Sequence, residues 1–577
     1  MPEWNSQLGT LLFLCLLFRG ALSACTMSIT EECRNAGFVP GARLAGQGYD
    51  VVTLQPKGAF VIDVNTWRMA NGSCILCDNE LLNDVRQRLP ISLVDWRTLS
   101  SCRRSLSSWL YQSAAKLAES AISSITNNWH ADLSVQKPKV GVNVVLAGSH
   151  SKMVEFGTTR SKGDLYSFAI HQFQCLHYQY RVKDQPLLAP DFQRSLSRLP
   201  ASTIGNDKYH YQKLVATYGT HYLTAVELGG RYKDVTAIRT CEVVTEGYTT
   251  EEVKDCLSVE AGVTVGLIAK SSVGYKRCQE KARSMKHHDS FHQAFSDRET
   301  WVTGGRAHQE VDLFFSGDGS AFGRWTVSLL TRPGLVRYAL APLHHLLPSG
   351  DPRQKTLQCY ISDYITGNAL SQKCGAGHRC PHGSYPDPRQ RCSCLCRADS
   401  LVDRNCCSKE KGLGRLVVTV KEGRDLWGDI FSGTDGYVVV RYGQTQARTF
   451  TVSNNNNPTW DTKLDLGEVK AESGHRLTLE VWDQDVIKSD DLLGKCQVRL
   501  ISGTHGKFCY LNYGKVTYNY TFTCGPHLGG ATCHDYMPSP GSVPFTTALG
   551  ATNCTLLLNP HSPNTCSKVP LSMVYFP

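Results

Sequence analysis

The chain has 577 residues, 41% of them hydrophobic and 19% charged, which is too long for a single core and too apolar to be disordered by default. Its net charge of +10 suits an anionic membrane surface but does not single out nucleic acid, and no helix-turn-helix, zinc-finger or aromatic RNP pattern is present. Past the N-terminus no run of 18 apolar residues occurs, so no transmembrane helix is encoded; crossing a bilayer would require a closed barrel.

Residues 1–24 read as a signal peptide. Leu11 to Phe18 is apolar, small residues stand at Ala21, Ser23 and Ala24, and cleavage is expected near Ser23 or Ala24. Cys15 leaves with that segment. The remaining cysteines of the 24 imply disulfides and an oxidising compartment, and sequons at Asn71, Asn519 and Asn553 agree. Cys25, Cys33, Cys74 and Cys77 form a local staple. The odd count leaves one thiol, expected at Cys359, which stands alone in a helical-looking stretch.

Ser105 to Asn128 predicts a core-packing helix, with Trp109, Ala114, Leu117, Ala121 and Ile125 at helical spacing. Val140 to Ala147 is a β-like run. Leu176, Tyr178, Tyr180 and Val182 alternate with polar residues as in a half-buried strand, and Tyr232 to Cys241 is a further strand after Gly229-Gly230. Together these predict an α+β domain built on a large, bent antiparallel sheet with flanking helical clusters. In Val259 to Ala269, the apolar residues Val259, Ala261, Val263, Val265, Leu267 and Ala269 occupy alternate positions. A soluble strand with one polar face, a tilted transmembrane strand and a packed helix all satisfy that pattern, although two glycines and five β-branched residues weaken the helix.

From Cys374 to Cys407 cysteines are dense, and disulfides outrank zinc in a secreted chain. From Leu413 the pattern is all-β. Asp429 and Asp435, then Asp483, Asp485, Asp490 and Asp491, lie at strand ends. Six carboxylates meeting at one end of a sandwich repel unless cations fill the gap, and hard oxygen ligands select Ca2+. Trp427, Ile430, Phe431 and Val486 beside them read as membrane-contacting side chains, with Lys488 placed to meet lipid phosphate.

Three resemblances order these features. Tyr218-Gly219-Thr220-His221-Tyr222, six residues before Gly229-Gly230, resembles the signature of the membrane-attack-complex/perforin (MACPF) family. The resemblance implies a pore-forming domain over 25–372. Two helical clusters, near Ser149 to Gln174 and Cys256 to Ser290, would unfurl into transmembrane hairpins, eased by Gly157, Gly163, Gly262, Gly266 and Gly274. His221 is expected to be structural, and the Gly pair a bend or hinge beside a sheet edge. Residues 373–411 resemble an EGF-like module, which implies about three bridges, with Cys407 tying back to the preceding domain. Thr434 to Val440, Asn457 to Trp460 and Asp490 to Gly494 resemble successive hallmarks of C2 domains over 412–525, which implies calcium-dependent phospholipid binding by the six aspartates. The tail, 526–577, is rich in Gly, Pro and Cys, with Cys524/Cys533 and Cys554/Cys566 as local pairs.

The combination implies a secreted, calcium-dependent pore-forming cytolysin and no enzyme. It implies Ca2+ as cofactor, a phospholipid membrane and a homo-oligomeric ring as partners, and co-released granule proteases as further candidates. Proton competition for the aspartates implies storage in acidic cytolytic granules. The alternative is a complement-like or adhesion module that binds membranes through calcium without insertion. A secreted lipid hydrolase is disfavoured, since no GxSxG or HExxH is present.

Overall fold

The computed structural model describes residues 25–547, except 100–101, 103–105, 136–141, 202–207, 286–287, 307–312, 316–318, 375–379, 381–383, 389–391, 429–431, 473, 487 and 542. The signal peptide, Asn553, the Cys554/Cys566 pair, Asp429, Ile430 and Phe431 lie outside the described residues.

An eight-stranded antiparallel sheet organises the N-terminal half. Four of its strands run side by side: β1 (Leu106–Tyr111), β2 (Tyr166–Val182), β3 (His221–Arg239) and β4 (Arg298–Thr303). A fifth, β5 (Gly334–Pro342), pairs with the first half of β3. Helices α1 (Ala114–Ala121) and α2 (Lys152–Ser161) connect β1 to β2. Helices α3 (Thr250–Thr264), α4 (Val273–Ser284) and α5 (Phe291–Ala294) connect β3 to β4, and α6 (Gly319–Ser328) leads into β5.

Side chains of β2 and β3 alternate between the two faces of the sheet. Phe168, Ile170, Val235 and Ala237 pack with Ala114, Leu117 and Phe156 under α1 and α2. On the other face Ala169 and Ile238 pack with Val253, Leu257 and Phe291 of the second cluster. Phe173 and Tyr232 pack there with Phe322 and Trp325 of α6. The sheet is therefore sandwiched between two helical clusters.

Three expectations change, and one that the pattern left open is decided. The helix expected over Ser105 to Asn128 begins only at Ala114, because Leu106–Tyr111 pairs with β2 and the Cys102–Cys175 bridge holds it there. The first cluster ends before Tyr166. Residues 166–174, expected to be helical, belong to β2, which stays paired with β3 back to Tyr166 across a bulge at His177. Val259 to Thr264 is helical, not extended. Ala261 and Val265 are buried, Val259 and Val263 half-buried, and Leu267 and Ala269 exposed. The helix wins because Thr249 and Glu252 form a reciprocal capping box and Cys256 is bridged to Cys278 of α4.

The last change concerns Gly229 and Gly230. They lie inside β3, with strands on both sides, rather than at an edge. Gly229 faces Gly334 of β5, while Arg231 faces Thr303 of β4, so the pair marks where β3 changes partner. A Cβ on Gly229 would lie 2.0 Å from the Cys175 carbonyl oxygen, and one on Gly230 2.4 Å from Leu329. Gly229→Ala is expected to destabilise the domain by about 3 kcal/mol or more, since the obstacle is backbone. Calorimetry should show a clear fall in Tm; an unchanged Tm would count against the close approach.

The signature motif is a structural knot. Gly219 has φ +80°, and a Cβ there would meet the Tyr49 carbonyl oxygen at 2.4 Å. His221 is fully buried, with Nδ1 2.7 Å from Thr220 Oγ1 and Nε2 2.9 Å from the Trp129 carbonyl. Burial holds its pKa down at about 3, so the ring stays neutral. Tyr218 and Tyr222 are buried in the same core.

Helix α7 (Pro352–Gly367) carries Cys359, which keeps its thiol in a buried position. Bridges Cys25–Cys77 and Cys33–Cys74 form the N-terminal staple. Three bridges, Cys374–Cys392, Cys380–Cys394 and Cys396–Cys406, staple the small module, and Cys241–Cys407 ties it to the residues just after β3. The C-terminal part is a sandwich of two four-stranded sheets. One contains β6 (Leu413–Arg424), β8 (Thr459–Lys470), β11 (Gly503–Tyr510) and β12 (Lys515–Cys524). The other contains β7 (Gly436–Tyr442), β9 (Leu477–Asp483) and β10 (Asp491–Val498), with Thr445–Arg448 at its edge. The tail returns to the first domain. The Tyr536 hydroxyl donates to both Asp164 carboxylate oxygens at 2.9 and 2.8 Å, and Thr546–Thr547 pairs with Leu370–Ser371.

Candidate calcium site and membrane-inserting segments

Strand register gathers the acidic residues. Gly436 of β7 lies opposite Asp483 of β9, and Asp483 opposite Asp491 of β10. Asp435, Asp483, Asp485, Asp490 and Asp491 therefore share one end of the sandwich. Asp483 is buried and accepts the Asp435 backbone N–H at 2.6 Å. Asp490 accepts the Tyr437 hydroxyl at 2.6 Å and the Asp485 backbone N–H at 3.2 Å, which hold its carboxyl below the usual range. No three of the described aspartates have oxygens within 4.8 Å of one another. The described group that is this crowded, Cys102, Cys175 and His177, is a disulfide beside a ring and offers no thiolate.

The donor set fits a hard divalent cation. Asp485 Oδ2 is buried and accepts no hydrogen bond; the nearest cation, Lys488 Nζ, is 3.6 Å away. A Cβ on Gly428 would lie 1.8 Å from Asp483 Oδ2, so the first loop can lie against that carboxylate only as glycine. All available donors are oxygens, in loops that can adjust to the variable coordination of Ca2+.

Several functional side chains escaped the sequence reading. Asn454 Oδ1 accepts Gly433 N–H at 2.8 Å, Asn456 Oδ1 accepts Thr434 N–H at 2.9 Å, and Asn457 Oδ1 accepts Asp425 N–H at 3.0 Å. The Asn454 N–H in turn donates to Asp435 Oδ1 at 2.6 Å. The run of four asparagines was the available signal, since Asn side chains cap loop N–H groups. Lys488, expected to meet lipid phosphate, is exposed and donates to Asp491 at 2.7 Å. At the rim, Trp427 is exposed and Val486 is 98% exposed, as a membrane contact requires. Tyr513, exposed and packed edge-on to Trp427 with centroids 4.9 Å apart, adds an aromatic side chain that the sequence did not single out. Among the expected glycan sites, Asn71 is exposed and Asn519 stands on the outward face of β12.

The second candidate region is the sheet end from which both helical clusters depart. Tyr111 lies opposite Phe168, Tyr166 opposite Arg239, and Thr236 opposite Arg298. Residues 112–165 and 240–297 therefore leave the four strands β1 to β4 at one common end. Straightened, each would prolong two neighbouring strands.

His171 on β2 fastens the second cluster to the sheet. Its Nε2 lies 3.1 Å from the Lys254 carbonyl and 3.1 Å from Ser258 Oγ of α3. Burial lowers its pKa from 6.5 to about 4, with the Arg298 and Lys254 charges acting in the same direction and Asp255 and the Lys254 carbonyl opposing. The packed form thus binds the proton more weakly than an opened form. Its contribution is complete above pH 6.5 and is lost as pH falls through about 4, up to roughly 3 kcal/mol. His171→Gln is expected to flatten the decline in Tm over that window. Parallel Tm–pH curves for the two proteins would count against the contact.

Comparison with known proteins follows the same division of the chain. A family model described as MAC/Perforin domain matches residues 38–373, more than half of the molecule. The chain belongs to the MAC/perforin family. A C2 domain model matches residues 414–510 of this MAC/perforin protein. Perforin-1 of Homo sapiens is 41% identical over 519 residues, covering 89% of this chain and 93% of that protein. Complement component C6 of Bos taurus is 24% identical over 66% of this chain and 41% of its own length. A solved C2 domain is 36% identical over 19% of this chain and 98% of that one, with a TM-score of 0.18.

Proposed function

We propose that this MAC/perforin protein is a secreted, calcium-dependent pore-forming cytolysin. Asp429, Asp435, Asp483, Asp485, Asp490 and Asp491 hold Ca2+, which bridges the C2 loops to lipid phosphate. Trp427, Ile430, Phe431 and Val486 enter the headgroup region. Docked copies assemble into a ring, and 112–165 and 240–297 unfurl into hairpins that close a barrel, leaving no unpaired sheet edge in lipid. No bond-making chemistry is part of this function.

The observation that carries the proposal is the common exit of both clusters from one end of β1 to β4. The two segments supply 27 and 29 residues per arm, against the 9–11 that a transmembrane strand needs. Storage in acidic granules beside co-released proteases belongs to the same proposal, since protons compete with Ca2+ for the carboxylates. The test is release of a large dye from liposomes, titrated with calcium at neutral and acidic pH, with electron microscopy of the membranes. Calcium-dependent release with rings at neutral pH, weakened by acid, is expected. Binding without release would favour the adhesion alternative.

A further inference from the structure

Helices α3 and α4 form an antiparallel pair joined through residues 265–272 and bridged by Cys256–Cys278, both cysteines being buried. The bridge spans a sequence separation of 22, so Leu267 lies midway, eleven residues from either cysteine. Beside it Gly266 has φ +76° and already turns the chain, and Leu267 is exposed. We infer that this disulfide survives insertion and sets the register of the second hairpin, giving both of its arms a single lipid-facing side. The inference rests on the pore-forming function proposed above and assigns which side chains meet acyl chains and which meet water.

With Cys256 opposite Cys278 in an antiparallel hairpin, every position pairs with the one equally far beyond Leu267. Directly opposed residues share a face. One face then carries Val259 with Tyr275, Ala261 with Val273, Val263 with Ser271 and Val265 with Ala269, closed by Leu267. The other carries Ser258 with Lys276, Glu260 with Gly274, Gly262 with Ser272, Thr264 with Lys270 and, beside the tip, Gly266 with Ile268. Between Val259 and Tyr275 only Ser271 interrupts the apolar side, and Ile268 is the one large apolar residue on the other. A slip of one residue would place Ser272, Gly274 and Lys276 behind the valines and destroy the separation. The disulfide and the sequence alternation are independent, yet they select the same parity. The alternation recognised over Val259 to Ala269 thereby acquires its second arm.

Dimensions agree. Eleven residues extended span about 36 Å and, tilted by about 40°, cross about 28 Å, close to the hydrocarbon thickness of ~30 Å. The bridge sits at the near interface and Leu267 at the far one. Leu257 and Arg277, paired next to the bridge, lie where a cation can reach headgroups. The present Cα separation of the cysteines, 5.5 Å, also falls within the spacing of opposed strand residues, so one bridge serves both forms.

Adjacent lysine substitutions test the assignment in the full chain. Val273 is 82% exposed in the helical form, and a Cβ on Gly274 meets nothing within 4 Å, so neither Val273→Lys nor Gly274→Lys disturbs the soluble fold. On dye-loaded phosphatidylcholine–phosphatidylserine vesicles, Val273→Lys is expected to cut lysis roughly tenfold or more and Gly274→Lys to stay within about twofold, with calcium-dependent binding unchanged in both. Pores alkylated and digested without reductant should yield the Cys256 and Cys278 peptides still joined. Equal effects of the two lysines, the reverse order, or alkylated cysteines would overturn the inference. If the unsubstituted protein releases no dye, the pore-forming function itself fails; if it lyses without this alternation, only the register does.

Discussion

Exchanging Asp483 for asparagine raises the calcium needed for half-maximal liposome binding by roughly a hundredfold, because ligand charge sets affinity in such sites. Asp483 is the best placed of the aspartates for this role. It ends β9, is buried, lies against Gly428 of the first loop and accepts the Asp435 backbone N–H. Asparagine keeps one acceptor oxygen for that N–H, so the sandwich remains folded while a ligand charge is lost. Lys488 provides an internal contrast. Its ammonium lies 2.7 Å from Asp491 and 3.6 Å from Asp485, where it occupies part of the field a divalent ion needs. Lys488→Gln is therefore expected to lower the calcium requirement, whereas a lysine serving lipid phosphate would raise it when removed. Vesicle co-sedimentation across a calcium titration distinguishes these directions. Unchanged half-maximal calcium for Asp483→Asn would remove Asp483 from the ligand set.

The acidic end of the C2 sandwich was legible because its information is local. Strand ends flanked by Asp435, Asp483 and Asp490 need only an antiparallel register to converge, and that register follows from alternating Val and Leu. What the residues do to one another was less legible. Lys488 stays exposed and pairs with two carboxylates within a few residues of it. The asparagine run acts on the first loop from a different part of the sequence, with no periodic signal. In the first domain periodicity misled. Trp109 of Leu106–Tyr111 stands at helical spacing with the stretch that follows it, and only pairing with β2 decides that the segment is a strand. Val259 to Thr264 has the period of a strand and the environment of a helix. Its capping box, His171 and the Cys256–Cys278 bridge hold the helical form. That conflict between local pattern and tertiary setting is expected of a segment with two states.

A disulfide placed between positions 171 and 258 abolishes lysis while leaving calcium-dependent binding intact. His171 Nε2 and Ser258 Oγ approach to 3.1 Å, so cysteines at these sites face each other across the β2–α3 contact. Position 258 lies in the middle of α3. Turning that helix into a strand more than doubles its rise per residue, from 1.5 to about 3.3 Å, and carries its residues off the face of the sheet. A bond to β2 at that point forbids the movement, and a half-formed hairpin leaves unpaired backbone that lipid does not tolerate. The loss should therefore be complete, to the dye leakage of protein-free vesicles, rather than graded. The single variants His171→Cys and Ser258→Cys should both lyse. The bridged peptide, identified by mass, verifies the lock. Lysis by the verified locked protein would mean that residues 240–297 do not form the membrane-crossing hairpin, and the common exit of the two clusters would then have to serve ring assembly alone.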